Sequence, residues 1–178
     1  MIKILSIICV SCIVILSSFS LSNNPDDERN FSDKSDRIYW SADQQLTWDD
    51  FVGRPDYHNR FASAISSTGI IYRYRCENGV VTTTVESIFI KSESWVKNNA
   101  LTEYHLEHEQ KHFDITELYA RKLRKELSQR TFYCGDEQLL EKMVNDKLNE
   151  WDNEQKRYDK QTKHSLNEEN QFVWNELI

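Results

Sequence analysis

The sequence predicts an α+β fold in which a small antiparallel hairpin packs on two long antiparallel helices. Two observations carry that expectation. A β-branched stretch between residues 61 and 91 is split by an Asn-Gly pair, and two stretches after residue 100 repeat apolar residues at helical spacing. Strands first and helices later is the order of an α+β domain.

The chain has 178 residues, enough for one domain with a sizeable core. Its start reads differently from the rest. Residues 1–22, MIKILSIICVSCIVILSSFSLS, place Lys3 before an apolar run from Ile4 to Leu16 and then small residues, the order of a signal peptide. An uncleaved N-terminal anchor is the alternative, and it would be the only membrane contact. Both readings put the protein outside the cytoplasm, in the periplasm, at the cell surface or in the medium. Residues 23–37 are polar and charged and read as a flexible leader, leaving residues 38–178 as a single domain.

The domain opens on Trp40, Leu46, Trp48 and Phe51 as apolar anchors, followed by a turn at Gly53-Arg-Pro55-Asp. GIIYRYRC and VVTTTVESIFIKS then read as strands, joined at Asn78-Gly79 by a tight turn that needs positive φ. A helix follows from about residue 100 to 129, capped by Thr102, with Leu106, Phe113, Leu118, Leu123 and Leu127 as its apolar positions. Gly135 stops it. A second helix from about 137 to 158 lines up Leu140, Val144, Leu148, Trp151 and Tyr158. The terminal segment adds Phe172, Val173 and Trp174.

The net charge of −7 argues against a nucleic-acid partner, which selects basic faces. After loss of the first 22 residues only Cys76 and Cys134 remain of four cysteines, a candidate disulfide in an oxidising compartment.

Three of the five histidines fall in HLEHEQKHFD, residues 105–114. Within it, His108-Glu109-x-x-His112 is the zincin spacing. Four residues turn a helix by about 400°, so both imidazoles leave one face, a turn apart, and can converge on one Zn²⁺. Glu109 stands beside them as a general base for a water whose pKa the metal lowers to about 7. His105 reads as a surface or supporting histidine, because one straight helix cannot close three ligands around an ion. His58 sits in a polar loop. Glu117, five residues past His112, is turned about 140° away and is rejected as a ligand.

These motifs resemble a bacterial family. LTWDDF, FASAISSTGIIYRY, SWV, HEQKHFDITELYARKL and YDKQTKHSLNEENQFVWN occur in the order seen in domain of unknown function 922, described as secreted zinc-dependent proteases. The resemblance spans roughly residues 38 to 177 and implies export and a zincin-like fold. The family's late segment, Tyr-Asp-x-x-Thr-x-His-Gly, is matched by Tyr158, Asp159, Thr162 and His164, with Ser165 in place of the glycine.

A catalytic zinc usually takes three protein ligands. Folding the second helix back on the first brings residues 154–159 level with the histidines. Glu154 and Asp159 are candidates there, each turned somewhat off the inward face. His164, just beyond, matches the family's late motif and is the expected third ligand, with Asp159 as runner-up. The expected function is thus a zinc metallopeptidase acting on a peptide or protein, with metal ligands His108, His112 and His164 and Glu109 as general base. The alternatives are an exported zincin-fold binding protein without activity, or a hydrolase of a non-peptide amide in the cell wall.

Overall fold

The computed structural model describes residues 35–59 and 62–178. The expected signal peptide and all of the expected leader up to residue 34 lie outside the described residues. The fold is α+β, with an antiparallel sheet of three short-to-medium strands, a two-stranded ribbon and three helices.

β3 (Thr68–Glu77) and β4 (Val80–Ile90) form the expected hairpin, in register from Thr68 opposite Phe89 to Glu77 opposite Val80. The two turn residues, Asn78 and Gly79, have φ of 53° and 81°, which Asn tolerates and Gly adopts freely. β1 (Arg37–Tyr39) adds a third strand on the other side of β4. Asp36 and Arg37, expected in the leader, are tied to the sheet: Arg37 pairs with Ile90 and Asp36 accepts from the Ser92 backbone N–H at 2.8 Å. β2 (Ala64–Ile65) and β5 (Trp95–Val96) make the separate ribbon. Gly53 lets the early chain lie against this region, since a Cβ there would stand 2.7 Å from the carbonyl oxygens of Ser92 and Ser94.

α1 (Glu103–Ser128) starts where Thr102 caps it by accepting from the His105 N–H. It is the central element, packed on the sheet, on β2 and on α2, so residues 108–113 are all buried. α2 (Glu137–Thr162) returns against it and runs four residues further than expected. α3 (Glu168–Leu177) packs on α2. No described helix is long and apolar enough to cross a membrane.

The main core joins Ile70, Val81 and Val85 of the hairpin to Ile115, Leu123 and Leu127 of α1. All five residues expected on the second helix, Leu140, Val144, Leu148, Trp151 and Tyr158, are buried in it. Leu46 and Phe51 form a second cluster with Phe89 and Phe113, and Trp40 and Trp48 pack on its edge. The terminal segment buries part of what it brings. Only Trp174 of its apolar trio is buried, whereas Phe172 is 67% exposed. Burying Trp174 together with Gln171, three residues earlier, turns Phe172 and Val173 outward.

Cys76 and Cys134 are joined as a disulfide, with Cα atoms 5.7 Å apart. The bond secures the chain after α1 to the hairpin tip, where Val81 N–H also donates to Phe132 O and Cys134 N–H to Gly79 O.

Candidate metal centre

His108 and His112 leave α1 one turn apart, and their rings sit edge to face with centroids 5.0 Å apart. Across the gap, α2 presents Asp159. Its Oδ1 lies 3.5 Å from His108 Nε2 and 3.2 Å from His112 Nε2. Donor atoms of these three buried residues all fall within 4.8 Å of one another. They line a small open cleft together with residues 62–66 around β2.

His164, the expected third ligand, reaches the cluster from the end of α2. Its Nδ1 lies 3.4 Å from the same Asp159 oxygen, and its side chain is half exposed in the cleft. It is not in the mutually close set, which holds Asp159 instead. The chain folds His164 back by an unusual turn. Lys163, His164 and Ser165 have φ of 51°, 53° and 66°, and His164 N–H donates to Asp159 O at 3.0 Å. Ser165, standing where the resembling family has glycine, thus adopts the left-handed conformation that glycine favours.

The other candidates separate cleanly. Glu154 pairs with Arg157 at 2.8 Å. Glu117 accepts from Ser87 Oγ at 2.6 Å and from Arg121 and Arg124, tying α1 to β4 away from the histidines. His58 is exposed. His105 lines the cleft, its Nδ1 2.7 Å from Thr102 Oγ1. Tyr158 is a core residue: its ring stacks on His108 and its hydroxyl donates to Gln171 Oε1 at 2.8 Å.

Burial alone would raise the Asp159 pKa. The charge of His112 and hydrogen bonds from His108, His112 and His164 outweigh it and hold the carboxyl well below the usual carboxylate range. Burial likewise opposes the charged form of His112, but Asp159 lifts it to about 9. The hydrogen bond to Asp159 also raises His164. The charged His112 ring and the Asp159 carboxylate hold one another here, and a divalent cation takes the place of such a proton when it binds.

The residues fit such an ion. Ligands of a tetrahedral zinc at 2.0–2.1 Å are about 3.3 Å apart, close to the Asp159 distances above. Two imidazoles and a carboxylate are an N/O donor set that zinc accepts. Both histidines have their second nitrogen occupied: His108 Nδ1 is 2.8 Å from Gln171 Oε1 and His112 Nδ1 is 2.7 Å from Gln155 Oε1. Glu109, 5% exposed, lines the same cleft, and its Oε2 is buried without a hydrogen-bond partner.

Sequence reasoning marked Gln155 only as polar and missed Gln171. A glutamine on the apolar face of the terminal helix, three residues from Trp174, was the available signal.

Residues 91–165 match the family described as bacterial protein of unknown function, DUF922. The DUF922 match is narrower than the motif resemblance over 38–177, yet it contains α1, α2, Glu109 and every candidate ligand. No curated protein and no solved structure matches the chain.

Proposed function

We propose that this protein is an exported zinc-dependent metallopeptidase of the zincin type. The observation that carries the proposal is the convergence of His108 Nε2, His112 Nε2 and Asp159 Oδ1 beneath a cleft that also contains the unpartnered Glu109 Oε2. A buried carboxylate oxygen without a partner is costly unless something is meant to meet it.

In this reading His108, His112 and Asp159 hold Zn²⁺, with His164 beside Asp159 at the cleft rim. When bound, the ion polarises the scissile carbonyl and acidifies water. Glu109 takes a proton from the attacking water at its free oxygen and delivers it to the leaving amide nitrogen. The backbone around β2 forms the wall along which an extended peptide would lie, as zincins hold their substrates. The Cys76–Cys134 disulfide agrees with an exported chain.

The test compares purified wild type with Glu109→Ala for bound metal by elemental analysis and for cleavage of casein and a peptide library. The expected result is equal zinc in both and cleavage by wild type alone. Zinc without cleavage in either would favour a binding protein or a hydrolase of another amide. Absence of zinc, or iron in its place, would overturn the proposal.

A further inference from the structure

We propose that Gln155 and Gln171 are positioning residues that fix His112 and His108 as Nε2 metal ligands through neutral amides rather than carboxylates. The proposal rests on the metal-binding reading above and adds which groups aim the imidazoles.

For Gln155 the amide orientation follows from chemistry. Its Nε2 donates to His112 O at 2.9 Å and to Thr116 Oγ1 at 3.0 Å. A carbonyl oxygen only accepts, so the amide nitrogen must face it, and Oε1 must face His112 Nδ1. Thr116 cannot rescue the opposite orientation. Its single hydroxyl proton is used on His112 O at 2.9 Å, and its oxygen receives Trp151 Nε1–H at 3.1 Å and lies 2.8 Å from Thr68 Oγ1. His112 Nδ1 therefore carries hydrogen, and in the neutral ring the lone pair sits on Nε2, the atom beside Asp159.

Gln171 does the same for His108 from a different helix. It is 1% exposed, its Oε1 also accepts from Tyr158 OH, and its Nε2 donates to Asn175 Oδ1 at 2.8 Å. Tyr158 stacks on His108 at 4.7 Å between centroids, and Trp174 packs on Tyr158 at 5.2 Å. Gln155 is one turn before Asp159 on α2, so a single helix face supplies both a ligand and a ligand's support.

The amide matters because of charge. A carboxylate on Nδ1 makes an imidazole more basic and a metal less electrophilic. With amides, Asp159 is the one anionic donor of the three, which leaves a divalent ion more able to polarise a carbonyl.

The test uses the exported protein loaded with zinc, following imidazole N–H groups by ¹H–¹⁵N NMR and zinc affinity by competition with a chelator. Wild type should show two slowly exchanging Nδ1–H signals with Nε2 on the metal. Gln155→Met and Gln171→Met should each lose one signal to exchange and weaken zinc by roughly 10–100-fold. Gln155→Glu keeps size and reach but turns a carboxylate oxygen toward His112 O, which only accepts, so it should retain its Nδ1–H signal, shifted downfield, and melt lower than wild type. Unchanged signals and affinity in these variants would overturn this proposal while leaving the metal site standing. A wild type that takes up no zinc would overturn both.

Discussion

Asp159 Oδ1 lies 3.2 Å from His112 Nε2, so one carboxylate oxygen links the motif helix to the helix that returns against it. The same oxygen is 3.5 Å from His108 Nε2 and 3.4 Å from His164 Nδ1. Any slip of α2 along α1 would break the contacts to His108 and His112 together, whereas His164, at the end of α2, would move with Asp159. Packing of Trp151 and Tyr158 into the core below is what holds that register.

This geometry predicts which ligand matters most. Asp159→Ala should weaken zinc by more than the roughly 10–100-fold typical of losing a supporting partner, and His164→Ala should stay within that range. Chelator competition on the two variants side by side checks it. Zinc retained by Asp159→Ala and lost by His164→Ala would return the third ligand to His164.

A pH-dependent contribution should come from Glu117, away from the metal cluster. Burial opposes its charge, but Ser87, Arg121 and Arg124 outweigh that and lower its pKa in the folded protein. A lowered carboxylate contributes stability that is present above its unfolded pKa of about 4.3 and fades as pH falls through the folded value. Glu117→Gln should therefore cost about 1–3 kcal/mol at pH 7, and the gap to wild type should shrink below pH 4. Denaturant melts across that pH series measure it. A gap that stays constant in acid would rule this account out.

The disulfide gives a third expectation. Cys76 and Cys134 are separated by 58 residues, and constraining a loop of that length stabilises by roughly 4 kcal/mol in the chain-entropy account. Unreduced protein should offer neither cysteine to an alkylating reagent in mass spectrometry. The Cys76→Ser, Cys134→Ser protein should melt lower yet still bind zinc, because the bond sits at the hairpin tip and the metal residues do not depend on it.

How far the sequence could be read followed the range of each interaction. Local patterns were legible: Asn78-Gly79 marked the hairpin turn, Thr102 the cap, and the spacing of Leu140, Val144, Leu148, Trp151 and Tyr158 the buried face of α2. His108, Glu109 and His112 were legible because helix geometry alone puts them together. The choice between Asp159 and His164 depends on how α2 ends: the resembling family's glycine at the place of Ser165 pointed to positive φ there, whereas Lys163 and His164 carry no such sign. β1 was hidden because a three-residue strand has too little pattern. Gln171 left only the trace of a polar residue on the face of Trp174, and its meeting with His108 is a contact between helices that no local pattern carries.

That left-handed turn supplies the last prediction. A side chain at φ near +60° brings Cβ too close to the following carbonyl, at about 1–2 kcal/mol per residue, a cost glycine avoids. Ser165 has φ of 66°, follows His164 directly and is buried at the cleft. Glycine also loses about 0.5–1 kcal/mol through its freer unfolded chain, so the net gain from Ser165→Gly should be about 0.5–1 kcal/mol. Ser165→Val should lose stability, since a β-branched residue suits this conformation worst. Calorimetry on the three proteins gives the order Gly above Ser above Val. The turn itself is held by Asn167 N–H donating to Thr162 O at 2.8 Å and by His164 N–H on Asp159 O, backbone bonds that glycine keeps. Zinc affinity should thus stay as in wild type for Ser165→Gly, while a melting temperature below wild type would show that Ser165 is not strained.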